Sequence, residues 1–190
     1  MSPNENDRPM PKPDHSIVLI GLMGAGKTTI GRKLAEKLEL SFVDSDDEVV
    51  KAAGRSIEDI FESYGEAAFR DVEARVIARL LREQPRVIAT GGGAFMATET
   101  RQHIKDNGVS VWLKASLDVL VARTSGRNDR PLLKDTDPTQ KLRELMDLRY
   151  PIYGEADIIV ETGNETAAST VDAVCDELRA LMQQNEKENQ

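Results

Sequence analysis

A chain of 190 residues with 39% hydrophobic residues has the size and apolar content for one domain built on a single core. Its net charge of −8 excludes a global field that would draw it to nucleic acid or to an anionic membrane. Cys175 is the only cysteine, which excludes an internal disulfide and any cysteine-based metal cluster.

Residues 1–14 are polar and proline-rich, with no apolar stretch before Ile17, so they are expected as a mobile tail and not as a secretory signal. A β-rich run at 16–20 leads through a glycine-rich turn into 27–40, where Ile30, Leu34 and Leu38 share one face of an amphipathic helix. Further strands are predicted at 41–43, 86–89, 109–113 and 157–160. Helical spacing covers 56–82, with an interruption near Gly65, and then about 97–106, 116–125, 138–149 and 166–183. In the last of these, Cys175 shares a face with Val171, Val174 and Leu178 and reads as a buried, inert thiol. The polar end, 184–190, is expected as a second disordered tail.

Five strands alternating with helices predict an α/β fold: a parallel sheet covered on both faces, in one domain spanning 15–183. In such sheets ligands gather beyond the carboxyl ends of the strands. No run approaches the roughly 18 apolar residues of a membrane helix. The expectation is a soluble, cytoplasmic protein without a membrane or nucleic-acid partner.

Directly after the first strand stands Gly21-Leu22-Met23-Gly24-Ala25-Gly26-Lys27-Thr28, which fits the G-x-x-x-x-G-K-S/T phosphate loop between a strand and a helix. Backbone N–H groups of Gly24, Ala25 and Gly26 would surround phosphate beside the positive helix end. Lys27 would reach the β and γ phosphates, Thr28 would bind Mg²⁺, and Thr29 adds a phosphate contact. The pattern specifies nucleotide binding and leaves the acceptor open.

Strand two ends in Phe42-Val43-Asp44-Ser45-Asp46, whose alternation puts both carboxylates on one side. One could hold hydrated metal and the other an acceptor hydroxyl; Asp also suits a helix N-cap. Downstream come Gly65-Glu66-Ala67-Ala68-Phe69-Arg70-Asp71-Val72-Glu73, then Gly91-Gly92-Gly93, then Arg130-Pro131-Leu132. Taken singly, Arg70 and Arg149 are more readily surface helix charges, and the glycine run can be a simple tight turn.

In order and spacing, from about residue 16 to 182, these motifs together resemble the shikimate kinase family. The resemblance implies a P-loop kinase fold in three layers, with strand order 2-3-1-4-5, a substrate-binding helical region at about 45–75 and a mobile lid at about 125–136. It implies transfer of phosphate from ATP to shikimate, in aromatic amino acid biosynthesis, by a magnesium-dependent monomer. It assigns Asp44 with Thr28 to the metal and Asp46 to the reacting hydroxyl. Arg70 and Arg149 take the substrate carboxylate, Gly91, Gly92 and Gly93 the substrate, and Glu73 orients Arg70.

The resemblance also places Arg130 over the transferring phosphates, though the residues alone make Arg127 equally eligible. Arg123 matches a position packed against adenine. Two readings compete: a kinase for another small hydroxy acid such as gluconate, and a non-catalytic nucleotide-binding switch. One departure stands out, because residues 162–167 (TGNETA) lack the arginine and proline often found near the adenine in the family.

Overall fold

The structure, a computed structural model, describes residues 13–124 and 137–188. Arg127, Arg130 and the rest of the expected lid at 125–136 lie outside the described residues, as do residues 1–12 of the expected leading tail.

Five strands form one parallel sheet: β1 (Ser16–Ile20), β2 (Ser41–Asp44), β3 (Arg86–Ala89), β4 (Gly108–Ala115) and β5 (Ile158–Thr162). Their order is β2-β3-β1-β4-β5, as the resemblance implies. Every residue of central β1 is buried, whereas edge strand β5 alternates buried and exposed residues and leaves Ile159 46% exposed. A central parallel strand is covered on both faces, so it reads as a continuous apolar run.

The helices are α1 (Lys27–Lys37), α2 (Ser45–Ala53), α3 (Ile57–Arg82), α4 (Thr98–Asn107), α5 (Leu117–Thr124), α6 (Pro138–Tyr153) and α7 (Ala167–Glu188). Helix α1 buries Ile30, Gly31, Leu34 and Ala35. A Cβ on Gly31 would come within 2.6 Å of the Phe42 ring, so α1 packs close against β2. Burying each large aliphatic side chain of this core contributes about 1.5–3 kcal/mol before chain entropy is set against it.

The structure sharpens three sequence expectations. The helix N-cap that an Asp after β2 could supply is Asp44, which starts α2, and Gly54 at φ 66° ends that helix. Helix α3 breaks at Gly65, whose φ of 80° and ψ of 173° are not helical. Helix α7 runs through residue 188, five residues past its expected end and into the expected tail. Extending a formed helix needs no new nucleus, and Gln, Glu and Lys are good helix formers, so polarity alone does not stop it.

Chain order positions the site. Strand β3 pairs with β1 on one side and with β2 on the other, and the register sets Asp44 opposite Ala89 and Ala89 opposite Leu19. The segments leaving their carboxyl ends are the glycine-rich loop, the start of α2 at Asp44–Asp46 and the Thr90–Gly93 turn. All three therefore open on one crevice.

Candidate active site

The crevice holds a cavity of about 1200 Å³. Its floor is the loop before α1, where Gly24 and Gly26 adopt φ of 84° and 95°, values open chiefly to glycine. Lys27 Nζ donates to the carbonyls of Gly21 (2.7 Å) and Leu22 (3.0 Å), which hold the ammonium over the loop. Thr28 and Thr29 follow on the exposed first turn and line the cavity.

Thr28 joins the loop to β2: its hydroxyl donates to Asp44 Oδ2 at 3.3 Å. The other oxygen, Asp44 Oδ1, accepts the Asp46 N–H at 3.0 Å and caps α2. Asp44 thus serves both of its sequence readings at once, as N-cap and as a carboxylate beside the phosphate loop. Magnesium bound with nucleotide commonly takes one or two carboxylates plus phosphate and water, and this hydroxyl–carboxylate pair fits that pattern.

Asp46 turns deeper. Its Oδ1 is buried without a hydrogen-bond partner. Burial pushes its carboxyl above the ordinary range and Asp44 adds to the rise, while Lys27 and Arg70 pull the other way. A buried acceptor left open in this way is suited to a ligand hydroxyl.

The glycine run explains how so many charged groups share so little space. A Cβ at Gly91 would lie 2.9 Å from Asp46 Oδ1 and 2.8 Å from Glu73 Oε1. At Gly92 it would lie 3.1 Å from Arg149 Nη1, and at Gly93 2.6 Å from Arg70 Cζ. Removing three side chains lets two carboxylates and two guanidiniums converge on one turn. Gly91 N–H is tied back to Ser45 Oγ at 3.3 Å, and Thr90 Oγ1 to the Leu19 carbonyl at 2.9 Å.

Arg70 is oriented from its own helix, donating to Glu73 at 2.7 Å and to Glu66 at 3.3 Å. Glu73 is 2% exposed, and its Oε1 has no partner. Burial raises its pKa above the usual carboxylate range; Arg70 opposes that rise, Asp46 adds to it and Arg149 opposes it. The Arg70 guanidinium also lies 5.0 Å over the Phe69 ring, and Phe69 packs 4.8 Å from Phe61. Both rings line the cavity, Phe61 at 38% exposure and Phe69 buried, so Phe69 joins the core to the cavity wall.

Arg149 is 9% exposed on α6. One turn later Tyr153 donates its hydroxyl to the Gly92 carbonyl. Burial raises the Tyr153 pKa, so the phenol remains a donor at neutral pH. Periodicity marked neither Tyr153, which meets a backbone carbonyl 61 residues away, nor Glu165, a cavity residue that holds the Gly163 N–H within an irregular turn.

At the other end of the cavity Arg123 spans from α5 to two turns, donating to the Gly24 carbonyl at 3.3 Å and to the Gly163 carbonyl. The structure therefore brings the predicted site residues among the described ones to one cavity, except Ala25, which is buried and gives its N–H to the Leu22 carbonyl at 3.1 Å.

A model of the shikimate kinase family matches residues 23–181. The chain belongs to the shikimate kinase family. A shikimate kinase of Paramagnetospirillum magneticum is 58% identical over 156 residues, which are 82% of this chain and 80% of the relative. One from Caulobacter vibrioides is 54% identical over 164 residues, 86% of this chain and 82% of its own. Among solved structures, a shikimate kinase from Acinetobacter baumannii in complex with shikimate matches with a TM-score of 0.80 at 38% identity, covering 92% of this chain and 96% of that one. Membership in the shikimate kinase family makes the chain an ATP-dependent kinase with the P-loop kinase fold.

Proposed function

We propose that this chain transfers the terminal phosphoryl group of ATP to the 3-hydroxyl of shikimate, giving ADP and 3-phosphoshikimate. The observation that carries the reading is the convergence of Arg70 and Arg149 on the glycine run, with the open Asp46 Oδ1 between them and the phosphate loop. Two guanidiniums suit a carboxylate, which Arg binds through paired donors. A buried carboxylate oxygen suits a hydroxyl. Shikimate offers both groups on one ring.

In this reading the Gly24–Thr29 backbone and Lys27 hold the phosphates, and Thr29 adds a contact. Thr28 and Asp44 hold magnesium, which when bound neutralises charge on the β and γ phosphates. Gly91, Gly92 and Gly93 line the acceptor's path, and Arg70 and Arg149 fix its carboxylate so that the hydroxyl meets Asp46. Phosphoryl transfer is largely dissociative, so the hydroxyl proton leaves late and Asp46 acts chiefly by orientation.

The acidic balance supports small-molecule substrates over nucleic acid. No helix among the described residues is long and apolar enough to cross a membrane. We take the chain as a cytoplasmic monomer of one domain, with residues 45–75 as its acceptor-binding region. Phosphorus NMR of the product tests the reading: a phosphomonoester on the shikimate ring supports it, and ADP with free phosphate alone overturns it.

A further inference from the structure

Residues 162–167, which lack an arginine and a proline, border the end of the cavity where Arg123 stands. The acceptor groups lie on one side of the phosphate loop, so a nucleotide whose terminal phosphate faces them must place its base on the other. That side is bounded by Arg123 and by the turn between β5 and α7, where Glu165, Ala167 and Thr170 line the cavity.

The turn is fixed at one residue from two directions. Gly163 N–H donates to Glu165 Oε2 at 2.6 Å, and the Gly163 carbonyl accepts from Arg123, whose other nitrogen holds the Gly24 carbonyl. A glycine has the widest choice of backbone conformation, so here the geometry is set by the two side chains and not by the residue itself. Thr166 adds an N-cap to α7 by accepting the Ser169 N–H at 3.1 Å.

We infer that Glu165 is a positioning residue for the nucleotide: by holding Gly163 it keeps the carbonyl that anchors Arg123, and so keeps the guanidinium available to a planar nucleobase. The inference rests on the nucleotide assignment above but not on the identity of the acceptor. Without Glu165 the turn regains its freedom, and Arg123 loses a fixed partner while the carboxylate-binding end is untouched.

The experiment titrates the whole chain with a fluorescent N-methylanthraniloyl-ADP, without acceptor, alongside KM values for ATP and shikimate. Glu165→Ala is expected to weaken ADP binding and raise the ATP KM by about three- to tenfold, the effect of one lost hydrogen bond, with the shikimate KM unchanged. Glu165→Gln, whose amide oxygen still accepts from Gly163, should restore affinity to near wild type. ADP binding by Glu165→Ala within about twofold of wild type, or an equal rise in both KM values, overturns the inference. A wrong acceptor assignment would leave the ADP titration unaffected, so the two failures are distinguishable.

Discussion

The Tyr153 hydroxyl donates to the Gly92 carbonyl one helical turn beyond Arg149, whose guanidinium faces the same glycine. The ring is 1% exposed and packs edge-on against Phe95 and Trp112, so the hydroxyl has no water to replace this bond. Tyr153→Phe removes the donor and keeps the packing. We expect the shikimate KM to rise about three- to tenfold, the ATP KM to stay within about twofold, and stability to fall by about 1 kcal/mol. Initial rates and thermal melts measured together check this; parallel rises in both KM values would contradict it.

Arg70→Ala removes one guanidinium of the proposed carboxylate clamp and strands Glu73 in the interior. The shikimate KM should rise about tenfold or more, the range for a lost charge-assisted contact, while ADP affinity stays near wild type. Binding titrations with each ligand separate the two. Equal losses would show that Arg70 supports the fold rather than the acceptor.

Asp46→Asn keeps the shape of the side chain but weakens its hold on a hydroxyl. The expected result is a fall in kcat of about 100-fold or more with little change in ADP binding, because only the oriented acceptor is lost. Steady-state kinetics at saturating ATP read this directly, and near-normal turnover would refute the role.

The pH dependence of stability has a definite sign at Glu73. Burial holds its folded-state pKa above the ordinary 4.5 despite Arg70. A carboxyl raised in this way stabilises the fold fully only below its unfolded value, and the contribution is lost as pH rises through the folded value. Glu73→Gln cannot ionise yet still accepts from Arg70. It should melt above wild type at neutral pH, with the gap closing as pH falls towards 4.5. Melting curves across that range check the sign, and a gap independent of pH would contradict it.

The strands, most helices and the phosphate loop were legible because they rest on local pattern: an unbroken apolar run in β1, a 3.6-residue period in α1, and glycines at fixed offsets. Asp44, Asp46, Arg70 and Arg149 were legible as members of a spaced set, although singly each had a bland reading. What was not legible depends on contacts distant in sequence. Tyr153 meets a carbonyl 61 residues away, and Arg123 meets one 40 residues away, and no periodicity encodes such pairs. The end of α7 was missed for the opposite reason, since a polar composition suggests a tail while a formed helix continues through good helix formers.

The most direct test of the central claim is ADP production from ATP and Mg²⁺ with shikimate, gluconate or quinate as acceptor, each against a blank without acceptor. The account predicts strong stimulation by shikimate and little by the other two. Stimulation by gluconate or quinate in its place would contradict the proposed clamp of Arg70 and Arg149, and no stimulation by any acceptor would contradict the proposed transfer itself.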